Sequence, residues 1–127
     1  MQLLIDTRIF LWLISDSKKL KPATKRFITE ADAVYVSAAS IWEISIKVAL
    51  KKLKANADEL VGAITQAGLI ELPITAKHAA TVATLPLHPD HNDPFDRLLV
   101  AQALTEPLLL LTDDAHLAQY GNLVRVV

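Results

Sequence analysis

Short apolar blocks alternate with stretches of helical period, and this alternation is the dominant signal along the chain. Gln2 to Ile5 predicts a buried strand that passes directly into a helix, Thr7 to Ser15, carrying Phe10, Leu11, Trp12 and Leu13. Pro22 suits the first turn of a helix reaching about Ala31, and Ala33 to Ser37 follows as a strand. Ser37 and Ser40 are candidate caps for a helix from Ile41 to about Leu53. Its apolar positions, Ile41, Ile44 and Val48 beside Trp42, Ile46, Ala49 and Leu53, predict a broad face packed on a sheet. A further helix, Asp58 to Ala67, is closed by Gly68 ahead of a strand, Leu69 to Leu72. Thr75 to Leu85 is helical, Pro86 to Pro94 is a polar loop, and Phe95 to Thr105 is helical again. Leu108 to Leu111 is a strand, and a short helix to Tyr120 precedes a last strand, Leu123 to Val127. Strands without polar alternation, separated by helices, predict an α/β fold with a mainly parallel sheet covered on both faces.

Composition narrows this picture. The chain has 127 residues, 52% of them apolar, enough for one core, and a single domain spanning 1–127 is expected. The absence of cysteine removes disulfides and thiolate zinc sites, and fits a reducing cytoplasm. No apolar run approaches the roughly 18 to 20 residues of a membrane span, and the first residues carry no basic secretory pattern. A formal net charge of −1 argues against nucleic-acid affinity driven by bulk positive charge, so any such role is local.

Ligands of open α/β sheets bind beyond the carboxyl ends of the strands, and the residues predicted there are acids. Asp6 ends the first strand, Glu43 lies in the first turn of the helix after the second, and Asp113 and Asp114 follow the strand Leu108 to Leu111. Asp96 opens the helix before that strand, so its position faces the same edge. Each acid has an ordinary alternative. Asp6 is a favoured helix cap, and Glu43 precedes Lys47 by the spacing of a helical ion pair. Asp93 before Pro94 is read as a cap, which leaves Asp96 at a position that suits the helix dipole. Capping explains acids at helix starts, but not four of them at one edge beside apolar strands.

Carboxylates gathered so closely repel one another unless a cation offsets them, and an all-oxygen donor set suits Mg²⁺ or Mn²⁺. Zinc is disfavoured, since the one compact histidine pair, His88-x-x-His91, lies in the polar loop. A hard divalent cation held by carboxylates points to phosphodiester hydrolysis. Thr7, Ser40 and Thr112 are candidates to orient a carboxylate or water, and Arg97 to meet a phosphate. The lysines Lys47, Lys51, Lys52 and Lys54 either contact RNA or form a solvated face.

Four strings then carry a resemblance: Leu3-Leu4-Ile5-Asp6-Thr7, Ser37-Ala38-Ala39-Ser40-Ile41-Trp42-Glu43-Ile44, Asp93-Pro94-Phe95-Asp96-Arg97 running on to Ala103, and Leu110-Leu111-Thr112-Asp113-Asp114. In this order they resemble the PIN-domain family, specifically VapC-type toxins of bacterial toxin–antitoxin pairs. The resemblance implies a three-layer α/β/α sandwich, a Mg²⁺- or Mn²⁺-dependent endoribonuclease, a cognate antitoxin and a homodimer. It also implies Asp6, Glu43 and Asp96 as core catalytic and metal-binding residues, with Asp114 as the fourth acid and Asp113 unresolved beside it. Two rivals compete. A silent partner-binding module would present Phe10 and Trp12 to another chain. A phosphatase or receiver domain would need an Asp-x-Asp motif, which Asp6-Thr7-Arg8 does not provide.

Overall fold

Five strands pair in parallel throughout: β1 (Gln2–Ile5), β2 (Ala33–Ser37), β3 (Ile70–Leu72), β4 (Leu109–Thr112) and β5 (Val124–Val126), in the order β3-β2-β1-β4-β5. The computed structural model describes residues 1–90 and 92–127; His91, and with it the proposed histidine pair, lies outside the described residues. The chain builds outward from β1 to β3, then crosses back to lay β4 and β5 on the other side of β1. The boundary between β1 and β4 is therefore the point where the winding reverses. In open α/β sheets that is where a cleft forms at the carboxyl edge.

Successive side chains of β1 point to opposite faces, so Leu3 and Ile5 enter one core and Leu4 the other. The helices α1 (Thr7–Ile14), α2 (Pro22–Thr29), α3 (Ala38–Ala49) and α4 (Ala57–Gln66) bring Ile9, Phe10, Ile28, Ile44, Leu60 and Ile64 to the first. Two more helices, α5 (Ala76–Thr81) and α6 (Pro94–Thr105), are followed by β4 and then a 3₁₀ segment, Ala115–Tyr120. The second face is covered by Leu99, Val100 and Ala103 of α6 together with Leu117 and Tyr120. The result is the three-layer sandwich expected from the sequence. No helix among the described residues is long and apolar enough to cross a membrane.

Caps set most boundaries as the sequence predicts. Pro22 and Pro94 occupy first turns, Asp93 Oδ1 accepts from the Asp96 amide at 3.0 Å, and Gly68 takes the positive φ that ends α4. Four expectations need correction. Ser37 caps α3 by accepting from the Ala39 amide at 3.0 Å, so α3 starts at Ala38 and Ser40 is an interior residue rather than a cap. The same helix ends at Ala49 and not near Leu53, because Lys51 turns to φ 59° and the amides of Lys51 and Lys52 close on the carbonyls of Val48 and Lys47. The broad apolar face predicted for α3 is only half covered: Trp42 and Ile46 remain 56% and 38% exposed. The expected helix Thr75 to Leu85 breaks after α5 into a 3₁₀ turn, Val82–Thr84, since Leu85 precedes Pro86 and is pushed to an extended conformation.

Candidate active site

At the β1/β4 boundary a cavity of about 430 Å³ opens, and its walls include Asp6, Glu43, Asp93, Asp96, Asp113 and Asp114. Every acid singled out from the sequence thus reaches one place. Asp6 arrives from the end of β1, Glu43 from α3, Asp93 and Asp96 from the start of α6, and the Asp113–Asp114 pair from the end of β4. Lys47, Lys52 and Arg8 share these walls, whereas Lys51 and Lys54 do not.

Asp6 performs two tasks at once. Its Oδ1 caps α1 by accepting from the Ile9 amide at 2.9 Å, and its Oδ2 accepts from Thr112 Oγ1 at 2.6 Å. Only 6% of the residue is exposed. Burial pushes its carboxyl pKa up to about 6, against the pull of the Thr112 and Ile9 hydrogen bonds, with the nearby Asp113 charge adding to the rise. Capping and site chemistry are compatible here, because the cap uses one oxygen.

Glu43 is held from both sides. Thr7 Oγ1 lies 2.7 Å from its Oε1 and 2.9 Å from Ser40 Oγ, while Lys47 Nζ donates to its Oε2 at 2.8 Å. Thr7 has one hydroxyl proton, which the carboxylate attracts more strongly, so the buried Ser40 hydroxyl donates to Thr7 in turn. The helical ion pair anticipated between Glu43 and Lys47 is therefore real, and it coexists with placement in the cavity. Asp113 Oδ2 accepts from Arg8 Nη1 at 2.9 Å, and Asp114 Oδ1 accepts from the His116 amide at 2.9 Å, capping the 3₁₀ segment. No local pattern marks the Arg8 pairing, whose partners are more than a hundred positions apart.

Arg97 is not in this cavity. It is 8% exposed and turned inward, with Nη1 donating to Pro86 O at 2.8 Å and Tyr120 Oη at 3.0 Å, and Nη2 to Val82 O at 3.3 Å. The phosphate contact expected of it is thereby overturned. Its guanidinium instead ties the first turn of α6, and Asp96 with it, to three other segments.

Among the described residues no three Asp, Glu or His side chains converge as they stand on one point that would hold a metal ion. The donor chemistry nevertheless fits a hard divalent cation. The oxygens are anionic, they surround one cavity, and the Asp6 carboxylate carries a desolvation penalty that a cation would relieve.

A family profile described as PIN domain matches residues 3–123. Three solved structures share the fold. A VapBC2 complex of Rickettsia felis bound to a DNA fragment from its promoter is 17% identical, with TM-score 0.74 over 99% of this chain and 98% of that one. A toxin–antitoxin complex from Klebsiella pneumoniae is 17% identical, with TM-score 0.66 over 98% and 96%. FitAcB from Neisseria gonorrhoeae is 23% identical, with TM-score 0.60 over 96% and 95%. No curated protein matches the chain by sequence.

Proposed function

The chain belongs to the PIN-domain family, and from that premise we propose that it is a divalent-metal-dependent endoribonuclease acting in the cytoplasm as the toxin of a toxin–antitoxin pair. The observation that carries this reading is the meeting of Asp6, Glu43, Asp96 and Asp114 in one cavity at the point where the sheet reverses its winding. Asp6, Glu43 and Asp96 are the proposed core ligands of Mg²⁺ or Mn²⁺, with Asp114 as the fourth. A bound divalent cation would offset the carboxylate charge and acidify a water for attack on phosphorus. The chain's own residues do the positioning. Thr112 fixes the rotamer of Asp6, the Ser40–Thr7 relay fixes that of Glu43, and Arg97 anchors the turn that bears Asp96. In the hydrolysis one P–O bond forms to the water oxygen, the bond to the leaving ribose oxygen breaks, and the water's proton passes to solvent or to the leaving oxygen.

An antitoxin is the proposed protein partner, supported by the complexes in which proteins of this fold occur. Self-association as a homodimer belongs to the same proposal, and the exposed Trp42 and Ile46 of α3, with Leu50 just beyond its end, offer apolar surface for it. The test is cleavage of single-stranded RNA by the purified chain with Mg²⁺ and with a chelator. Asp6→Asn should abolish cleavage while its circular-dichroism spectrum stays folded. Equal cleavage by Asp6→Asn, or by wild type in chelator, overturns the reading.

A further inference from the structure

The acidic cavity is polarised along its length. Asp6, Asp113 and Asp114 stand where the strands end, whereas α3 carries the wall from Glu43 to Lys47 and on, past its own end, to Lys52. Three cations, Arg8, Lys47 and Lys52, share these walls with six carboxylates, and two of the three are already engaged. Arg8 Nη1 pairs with Asp113 at 2.9 Å, and Lys47 Nζ with Glu43 at 2.8 Å. Lys52 forms no ion pair among the described residues, although every one of those acids lines the same cavity. Its ammonium is therefore held beyond ion-pair reach of them.

The backbone fixes where this lysine stands. α3 closes in a Schellman turn, in which the Lys51 amide donates to Val48 O at 3.0 Å and the Lys52 amide to Lys47 O at 2.8 Å. Such a turn sets the residue after the left-handed position beside the last turn of the helix, where an apolar pair commonly forms. Here the two places hold Lys52 and Lys47, which are like charges. The left-handed position itself is Lys51, at φ 59°, a conformation that glycine adopts without strain and lysine does not. On the other side Leu53 packs against the first core. Lys52 is thus held between a closed turn and a core contact, and the rest of its wall, Leu11, Ile44 and Leu53, is apolar.

A cavity with carboxylates at one end, apolar wall along it and an uncommitted ammonium at the other suits two successive phosphates of a nucleic-acid strand. The carboxylates with their cation receive one. The next phosphate needs positive charge from the chain itself, and a net charge of −1 supplies none in bulk. We propose that Lys52 binds the RNA phosphodiester adjacent to the one at the carboxylates, and so sets the register in which the strand lies across the site. This rests on the ribonuclease reading. An ammonium grips a phosphate as a point charge and reads no base, so the contact positions the strand without selecting its sequence. It also divides the lysines of this segment, because Lys51 and Lys54 lie outside the cavity walls and remain solvated charges.

The test combines protein and substrate changes. A fluorescent single-stranded oligoribonucleotide is titrated with the full chain in chelator at low salt, and each linkage in turn is replaced by an uncharged methylphosphonate. For wild type one linkage should stand out, its neutralisation weakening binding by about 10-fold, the scale of one charge-assisted hydrogen-bonded contact. In Lys52→Gln that penalty should fall below about 2-fold, as for two changes that remove the same interaction, and in Lys52→Arg it should return. Lys52→Gln should also lower the slope of log Kd against log salt by roughly 0.7. Lys54→Gln removes an equal charge from outside the cavity and should keep the penalty. Lys52 is exposed and the turn uses only its backbone amide, so these variants keep the fold.

If wild type cleaves RNA with Mg²⁺ but the penalty is the same in wild type and Lys52→Gln, or is lost equally in Lys54→Gln, the Lys52 contact is overturned and the nuclease reading stands. If the penalty vanishes in Lys52→Gln alone while no Mg²⁺-dependent cleavage occurs, the contact stands and the nuclease reading falls. Absence of RNA binding both in chelator and with Mg²⁺ overturns both. Should Lys52→Gln leave RNA binding untouched but weaken binding of a polyglutamate peptide, the lysine serves a protein partner and the proposal is wrong.

Discussion

Thr112 Oγ1 donates to Asp6 Oδ2 across 2.6 Å, joining the ends of β4 and β1 at the sheet's reversal point. The hydrogen bond favours the ionised carboxylate, yet burial outweighs it and the pKa of Asp6 rises from 3.8 to about 6. A carboxyl whose pKa is higher folded than unfolded stabilises the fold below pH 4 and loses that contribution as pH rises through 6. A rise of that size corresponds to a cost of about 3 kcal/mol at neutral pH. Asp6→Asn keeps an oxygen for the α1 cap and removes the charge. In chelator the variant should therefore unfold at higher urea than wild type at pH 8, with the advantage shrinking towards zero near pH 4. Added Mg²⁺ should stabilise wild type and leave Asp6→Asn unchanged. A variant less stable than wild type at pH 8 would show that Asp6 is not strained by desolvation.

Removing the hydroxyl of Thr7 should leave the cavity folded but misaligned. Thr7→Val deprives Glu43 Oε1 of its donor and Ser40 of its acceptor, at a stability cost of about 1 to 2 kcal/mol. Loss of a group that orients a metal-binding carboxylate typically costs roughly 10- to 100-fold in metal affinity or activity. Thr7→Ser retains the hydroxyl and should recover most of the activity. Equal activity in Thr7→Val and wild type, read as kcat/KM on RNA, would remove Thr7 from the site.

The two neighbouring acids at the end of β4 can be separated by experiment. Asp114 caps the 3₁₀ segment, and Asn caps as well as Asp, so Asp114→Asn removes charge at little structural cost. We expect it to lose about 10-fold or more in kcat with its Tm unchanged. Asp113 is paired with Arg8, an exposed pair worth less than about 1 kcal/mol, so Asp113→Asn should lose less than about 3-fold. The reverse ranking would make Asp113 the fourth acid.

Much of this was legible in the chain because the carboxyl edge of a parallel sheet follows from connectivity. Once Gln2 to Ile5 and Leu109 to Thr112 are strands, Asp6 and the Asp113–Asp114 pair have only one edge to occupy. Caps were equally local, and Asp93 with Pro94 fixed the start of α6. What escaped depends on distant partners. Arg8 meets Asp113 only after β1 and β4 are side by side. The exposure of Trp42 and Ile46 was hidden for a different reason. Apolar periodicity marks a face as buriable without saying whether the chain itself buries it.

Arg97 illustrates the same limit and yields the last prediction. Its position one residue after Asp96 suggests a substrate contact, but its acceptors, Pro86 O, Val82 O and Tyr120 Oη, come from three separate segments and leave it buried. A planar guanidinium reaches all three, whereas an ammonium on a different stem reaches fewer. Arg97→Lys keeps the charge and should still cost about 1 to 3 kcal/mol in urea unfolding, because buried acceptors lose their donor. With the first turn of α6 loosened, kcat should fall several-fold through Asp96. The dependence of RNA binding on salt should not change, since no phosphate contact is lost. Retained stability together with a shallower salt slope would return Arg97 to the substrate surface, and with it the role that its burial now argues against.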